Sequence, residues 1–269
     1  MSNYQKVIKN LAIAFAIFLI VTIISSILYC VTFFIEIFDE DNEITEELND
    51  LEINDNLLIL DLDLSNTNVT IKEGKTLTAK TNSKYINSHQ DNNKLYIKEK
   101  NHNWFINNSN SELIVYVPKN TTLDKVEIKT KAGKVKIEAL TSKEIDFNFG
   151  AGKIDINNLT VTEKSYIEGG TGKIDIDSSN INNLDLELGV GSLTLTSKLT
   201  GKNSIEAGIG EVNINILGKK EDYQINVDKG IGKIEIDNEK AKDNKTYGRG
   251  ENKLDIEGGI GSIEINFKD

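Results

Sequence analysis

The residues whose spacing resembles a chemical motif are glycines followed by lysine: Gly150-Ala-Gly-Lys153, Gly170-Thr-Gly-Lys173 and Gly230-Ile-Gly-Lys233. Loops of this kind can cradle phosphate. A phosphate loop, however, needs Ser or Thr directly after its lysine, and here Lys173 is followed by Ile174. A dinucleotide fingerprint needs a third glycine opening a helix, whereas Lys153 leads into the alternating run Ile154, Asp155, Ile156. Calcium rolls repeat Gly-Gly-x-Gly-x-Asp; after Gly169, Gly170 and Gly172, Ile174 stands where the ligand aspartate belongs.

His89 and His102 are the only imidazoles and Cys30 the only thiol. That leaves no soft-metal ligand set and no intramolecular disulfide. Carboxylates are plentiful, but no pair is singled out as glycoside hydrolysis requires. The sequence therefore predicts no catalytic residue, no metal site and no cofactor, and the protein is not expected to be an enzyme. Trp104 and Phe105, between Asn-rich stretches, form the one aromatic cluster that reads as exposed. They serve either as an anchor for their segment or as a recognition patch.

What the glycines do position is architecture. The corner pairs are Gly150/Gly152, Gly170/Gly172, Gly189/Gly191, Gly208/Gly210, Gly230/Gly232 and Gly259/Gly261, with Gly133 alone in the first copy. The second glycines lie 19, 20, 19, 19, 22 and 29 residues apart. A period near twenty marks stacked structural units. On either side of each corner apolar and polar residues alternate, the period of a strand with one buried face. In one copy Ile145, Phe147, Phe149, Ile154 and Ile156 point inward; Lys153 and Asp155 point out. One such coil cannot bury its own apolar side, so coils must stack, each strand pairing with its counterpart one repeat away. The fold class expected is all-β: a single-stack β-solenoid of coils of about twenty residues, over residues 119–269.

Leu140, Leu159, Ile181, Leu199 and Leu217 follow the corners and are expected to plug the next ones. Residues 56–118 hold strand-like runs without the glycine signature and read as an irregular β cap. Residues 237–252 read as a polar loop.

Upstream, Leu11 to Ile35 is 25 residues without a charge. As a helix it would be about 37 Å long, enough to span a hydrocarbon core of about 30 Å. Lys6 and Lys9 precede it in residues 1–10, and the next base is Lys72. The positive-inside rule then keeps the N-terminus cytoplasmic and exports the rest. Residues 36–55 carry ten acids and no base, as in a solvated stalk, and the remaining chain is close to neutral at −3. No basic patch suited to nucleic acid is present.

The run Leu113-Ile-Val-Tyr-Val-Pro118, then Leu123-Asp-Lys-Val-Glu-Ile128 leading to Ala132-Gly-Lys-Val-Lys-Ile137, and the later Gly-x-Gly-Lys-Ile-Asp-Ile copies resemble one family. It is DUF4097, a bacterial group of β-strand-repeat proteins carrying a candidate-adhesin label. The resemblance covers about residues 56–269. It implies membrane tethering, association in some members with envelope stress responses or antimicrobial-peptide sensing, and no shared catalytic residues. The expected protein is a single-pass bacterial membrane protein, held in the bilayer by residues 11–35. Its extracytoplasmic β-solenoid would contact an envelope protein, peptide or glycan. The alternatives are a scaffold that self-associates through exposed strand edges at Ile263-Glu-Ile265 and, more remotely, an envelope polysaccharide hydrolase.

Overall fold

The computed structural model describes residues 9, 13, 15, 17–23, 25–26, 47–51, 53, 57–100 and 111–268. Among them are sixteen strands. In the first part of the chain these are β1 (Asn49–Leu51), β2 (Ile59–Leu64), β3 (Asn68–Gly74), β4 (Thr78–Thr81), β5 (Ile86–Asp91), β6 (Lys94–Glu99) and β7 (Glu112–Pro118). The glycine copies follow as β8 (Leu123–Ile137), β9 (Leu140–Asn157), β10 (Leu159–Asn182), β11 (Leu184–Thr200), β12 (Lys202–Leu217) and β13 (Tyr223–Ile236). After these come β14 (Glu239–Lys240), β15 (Lys245–Gly248) and β16 (Asn252–Lys268). Each glycine copy is a bent ribbon that pairs in parallel with its neighbouring rungs. Gly133 lies over Gly152, Gly152 over Gly172, Gly172 over Gly191 and Gly191 over Gly210, without a slip.

The inward set is buried as the alternation requires. Ile145, Phe147, Phe149, Ile154 and Ile156 all lie in the core, and one core runs the whole stack. A column such as Ile128, Phe147, Ile167, Leu186, Ile205, Ile256 and Val227 passes from rung to rung in register. Leu140, Leu159, Ile181 and Leu199 are buried on a short third side of the coil; Leu217 is only half-buried, and Ile216 fills the core there.

The glycines are required by how closely the rungs approach. At Gly191, φ is +148°, and a Cβ would sit against the carbonyl oxygen of Gly172, far inside the 3.0 Å that real Cβ atoms keep. The same collision with the preceding rung recurs along both glycine columns, from Gly150 and Gly152 to Gly259 and Gly261. The glycine signature is therefore a stacking constraint as well as a bend.

The order of the rungs departs from the sequence at both ends. β16 lies between β12 and β13, with Gly261 over Gly210 on one side and over Gly232 on the other. The strand Ile263-Glu-Ile265, expected as an exposed edge, is thus paired on both sides, with Ile263 and Ile265 buried. At the other end β2 and β3 form a rung on β8, while β6 and β7 form one beyond it. The segment expected as an irregular cap contains two full rungs, giving nine among the described residues.

Each outermost rung is also covered in the same way. The connection between β3 and β6 folds back as β4 on β7 and β5 on β6, antiparallel, with β1 added on β4. The connection between β13 and β16, expected as a loop, folds back as β14 and β15 on β13. Antiparallel cover of this kind occupies edges that could otherwise recruit another chain.

The β2–β3 rung turns its corner without glycine. Ser65, Asn66 and Thr67 stand there, and the nearly buried Glu99 holds them. Its Oε2 accepts from the Ser65 and Asn66 backbone N–H groups at 2.8 and 3.0 Å and from the Thr67 hydroxyl at 3.0 Å. Glu99→Ala leaves these buried donors without their acceptor and should cost about 2 kcal/mol. Urea denaturation of the variant should show a lower midpoint with an unchanged slope, and an unchanged midpoint would remove the carboxylate from this account.

Of the residues expected to span a membrane, most lie outside the described ones. Residues 17–23 are helical, with Ile17, Phe18, Leu19, Ile20, Val21 and Ile23 all exposed. Among the described residues no helix is long and apolar enough to cross a membrane. Of the acidic 36–55 stretch, Asn49–Leu51 is β1; residues 36–46 lie outside the described set.

Candidate functional site

Because side chains alternate on the strands flanking each corner and the inner set fills the core, the outward residues there form straight columns, one residue per rung, spaced by about 4.8 Å. Before the glycine corner two columns run side by side. One reads Asp146, Tyr166, Asp185, Ser204, Asp255, Asn226, and the other Asn148, Glu168, Glu187, Glu206, Glu257, Asp228. The second contains five carboxylates in direct succession. Asp255 accepts from Asn226 Nδ2 at 2.5 Å, and the Thr246 hydroxyl of β15 donates to Asn226 Oδ1 at 2.8 Å. β15 thereby closes one side of a cleft of about 330 Å³ at the end of the acidic face, lined in part by Asp228, Asp255 and Glu257.

The electrostatics are those of like charges in register. Desolvation by its neighbours, then the charges of Asp185, Glu206 and Glu168, push the exposed Glu187 carboxyl above its ordinary value. A group so raised stabilises the fold at pH below its unfolded value and loses that contribution as pH rises through its folded one. Like charges directly opposite are destabilising. Glu187→Lys, placing a cation between Glu168 and Glu206, should therefore raise stability by about 0.5 kcal/mol at neutral pH. The gain should shrink in high salt, as thermal melts at two ionic strengths would show.

The same face is balanced at the β1 end. Lys94 lies 2.9 Å from Asp61 and 3.2 Å from Glu127, with Nζ 4.5 Å from the Tyr96 ring centre. Its hydrogen bond to Asp61 holds the ammonium above the usual lysine range, against the opposing effect of burial. Lys125 makes a further pair with Glu127 at 2.7 Å.

After the corner the outward column is Lys134, Lys153, Lys173, Ser192, Glu211, Ser262, Lys233. Lys153 and Lys173 are direct neighbours, as the repeat predicts. Lys173 pairs along its own strand with Asp175 at 2.6 Å, and Lys233 likewise with Glu235 at 2.6 Å. A mixed, self-neutralising ladder results, unlike the acidic one.

His89 is exposed on β5, opposite Tyr96 with ring centres 6.4 Å apart, beside an open cleft of about 510 Å³. Trp104, Phe105 and His102 lie outside the described residues. No group of three or more His, Cys, Asp or Glu suited to a metal ion occurs among the described residues. The acidic column is open to sequence reading, since Glu168, Glu187 and Glu206 recur at 19-residue intervals.

The repeat geometry has a counterpart among known families: residues 59–265 match the profile described as Toastrack DUF4097. This chain belongs to the DUF4097 family. The match takes in all nine rungs from β2 to β16, so the family unit is the stack itself. Two solved structures resemble this DUF4097 chain. A candidate cell adhesion protein from Clostridium sporogenes is 18% identical, with a TM-score of 0.40, covering 83% of this chain and 100% of that one. A candidate adhesin from Bacteroides fragilis is 15% identical, with a TM-score of 0.44, covering 82% of this chain and 98% of that one. No curated protein matches this DUF4097 chain significantly.

Proposed function

We propose that this DUF4097 protein is a non-enzymatic interaction module displayed outside a bacterial membrane, serving envelope-stress sensing or surface adhesion. One observation carries the reading. The interior of the stack is packed with apolar side chains from end to end, so the surfaces left for recognition are the outward columns, which repeat along the whole stack. Within them the acidic column keeps five like charges in register, an arrangement that works against stability. Local rules are broken in this way where function requires it. The contact surface assigned is this face, with a partner that presents positive charge.

The charge-free run from Leu11 to Ile35 supports the anchor, as do the exposed apolar side chains of its described helical residues. The Thr22 hydroxyl donates back to the Phe18 and Leu19 carbonyls at 3.0 and 2.9 Å. That is the internal satisfaction a hydroxyl needs in hydrocarbon. With the anchor upstream of β1, the stack would stand with its β1 end toward the membrane and β13 to β15 at the far end.

Two experiments test this. Protease added to intact cells should release the stack, and full protection would overturn the topology. Envelope extracts passed over immobilised full-length protein in detergent should yield a partner whose retention falls with salt and with Glu187→Lys plus Glu206→Lys. Retention unchanged by both would move the contact off the acidic face.

A further inference from the structure

The 252–268 rung follows both of its neighbours in sequence yet lies between them. Its two neighbours are built to meet each other. The corner of β13, Gly230-Ile-Gly232, carries the same two glycines as that of β16, Gly259-Ile-Gly261. In β16 these abut the Gly208 and Gly210 carbonyls of β12, and in β13 they abut the equivalent carbonyls of β16. The residues after the corners also correspond: Val212 and Ile214 in β12, Ile263 and Ile265 in β16, Ile234 and Ile236 in β13. Set directly on β12 in this shared register, β13 would bring Val227 over Ile205, Ile231 over Ile209 and Ile234 over Val212. It would also place Lys233 beside Glu211, an opposite-charge neighbour that Ser262 now separates from it.

We propose that this end of the stack has two orders: a first-formed one with β13 directly on β12, and the native one reached when β16 inserts between them. Residues 223–236 are synthesised before 252–268, so the first partner presented to the open edge of β12 is β13. Insertion breaks one rung interface and makes two, which drives the exchange forward. Release of β16 in turn costs one net interface, because β13 can close the gap.

Two features of the chain favour the native order. The link between β12 and β13, residues 218–222, is longer than the single residues Asn158, Asn183 and Gly201 that join most other successive rungs, and it spans the extra layer. Asp237, just after β13, accepts from the Phe267 backbone N–H of β16 at 3.0 Å and from Lys220 Nζ of the link at 2.6 Å. Asp237 therefore ties the inserted rung to both segments that flank it. With β16 released, its apolar residues Leu254, Ile256, Ile263 and Ile265 become free to pair elsewhere.

Disulfide trapping in the full chain, carrying Cys30→Ser and held in detergent, tests the proposal. The middle residues of the corners point outward and stand in one column, about 4.8 Å apart between adjacent rungs. Positions two rungs apart, at about 9.6 Å, exceed the reach of about 7 Å for a disulfide. Ile209→Cys with Ile260→Cys reports the native order, and Ile209→Cys with Ile231→Cys the first-formed one. Thr171→Cys with Ile209→Cys, two rungs apart in either order, measures random closure. With oxidised glutathione present throughout refolding, the 209–231 pair should close at least ten-fold more than the control. With oxidant added after refolding it should fall to the control level, and Asp237→Ala should raise it again. A chain ending at Glu251 should close 209–231 at any time. The proposal is overturned if 209–231 never exceeds the control during refolding of the full chain, a comparison that stands even if the shortened chain does not fold.

Discussion

Gly191→Ala will break the stack in its middle. The substitution adds one methyl group, but that methyl must occupy the space of the Gly172 carbonyl oxygen, and the backbone at φ +148° is one that L-residues avoid. Backbone strain of this kind costs about 1–3 kcal/mol, and overpacking against a neighbour that cannot rotate away adds about 1–3. The combined loss is about 4 kcal/mol, or about 12 °C in Tm for a unit of this size. Gly191 pairs with Gly172 on one side and Gly210 on the other, so the damage reaches both adjacent rungs. Hydrogen exchange should show lost protection from β10 to β12, with β8 and β9 retaining theirs. Val190→Ala, one residue away on the outer surface, should change stability by less than about 0.5 kcal/mol. Equal effects from the two variants would mean that the rungs do not approach as closely as described.

Ile154→Asp will act from the inside. Ile154 is 2% exposed and lies in register between Val135 and Ile174. A carboxylate there has apolar neighbours above and below and no partner, and an uncompensated buried charge costs about 3–5 kcal/mol. The folded state will favour the protonated acid, so its pKa rises. The loss should then be smallest below about pH 4, the ordinary value of the acid, and grow as pH rises from there toward the raised folded value. Limited proteolysis at neutral pH should cut within β8 to β10 and leave a protected fragment from the later rungs. One protected core of unchanged size, with unchanged stability, would contradict stacking as the source of the fold.

Much of this architecture was legible from residue spacing. The inward set at Ile145, Phe147, Phe149, Ile154 and Ile156 follows from a period of two, and the parallel register follows from the corner glycines. The order of rungs was not legible. Every rung offers the same glycine columns and the same alternation, so the sequence pattern fits Gly232 over Gly210 as well as Gly261 over Gly210. The spacings of 22 and 29 residues showed only that the end is irregular. The two rungs within residues 56–118 are hidden in the sequence for a different reason. The β2–β3 corner carries no glycine pair and depends on Glu99, which is 34 residues from Ser65 in sequence, and no glycine stands between β6 and β7 in the sequence.

The acidic face shows the same division. Each carboxylate is ordinary by itself, and only the register between β10, β11, β12, β16 and β13 aligns five of them. The inverted order sets Glu257 rather than Asp228 beside Glu206, and the column counts five carboxylates in either order.

Distances along the stack read out the order of the rungs. Ala132, Ile260 and Ile231 occupy the same outward column, with Ile260 five rungs from Ala132 and Ile231 six. Pulsed electron paramagnetic resonance on nitroxide pairs in the folded protein should give a Cα separation of about 24 Å for 132–260 and about 29 Å for 132–231. A longer distance for 132–260 than for 132–231 would restore the order of the sequence and contradict the structure presented.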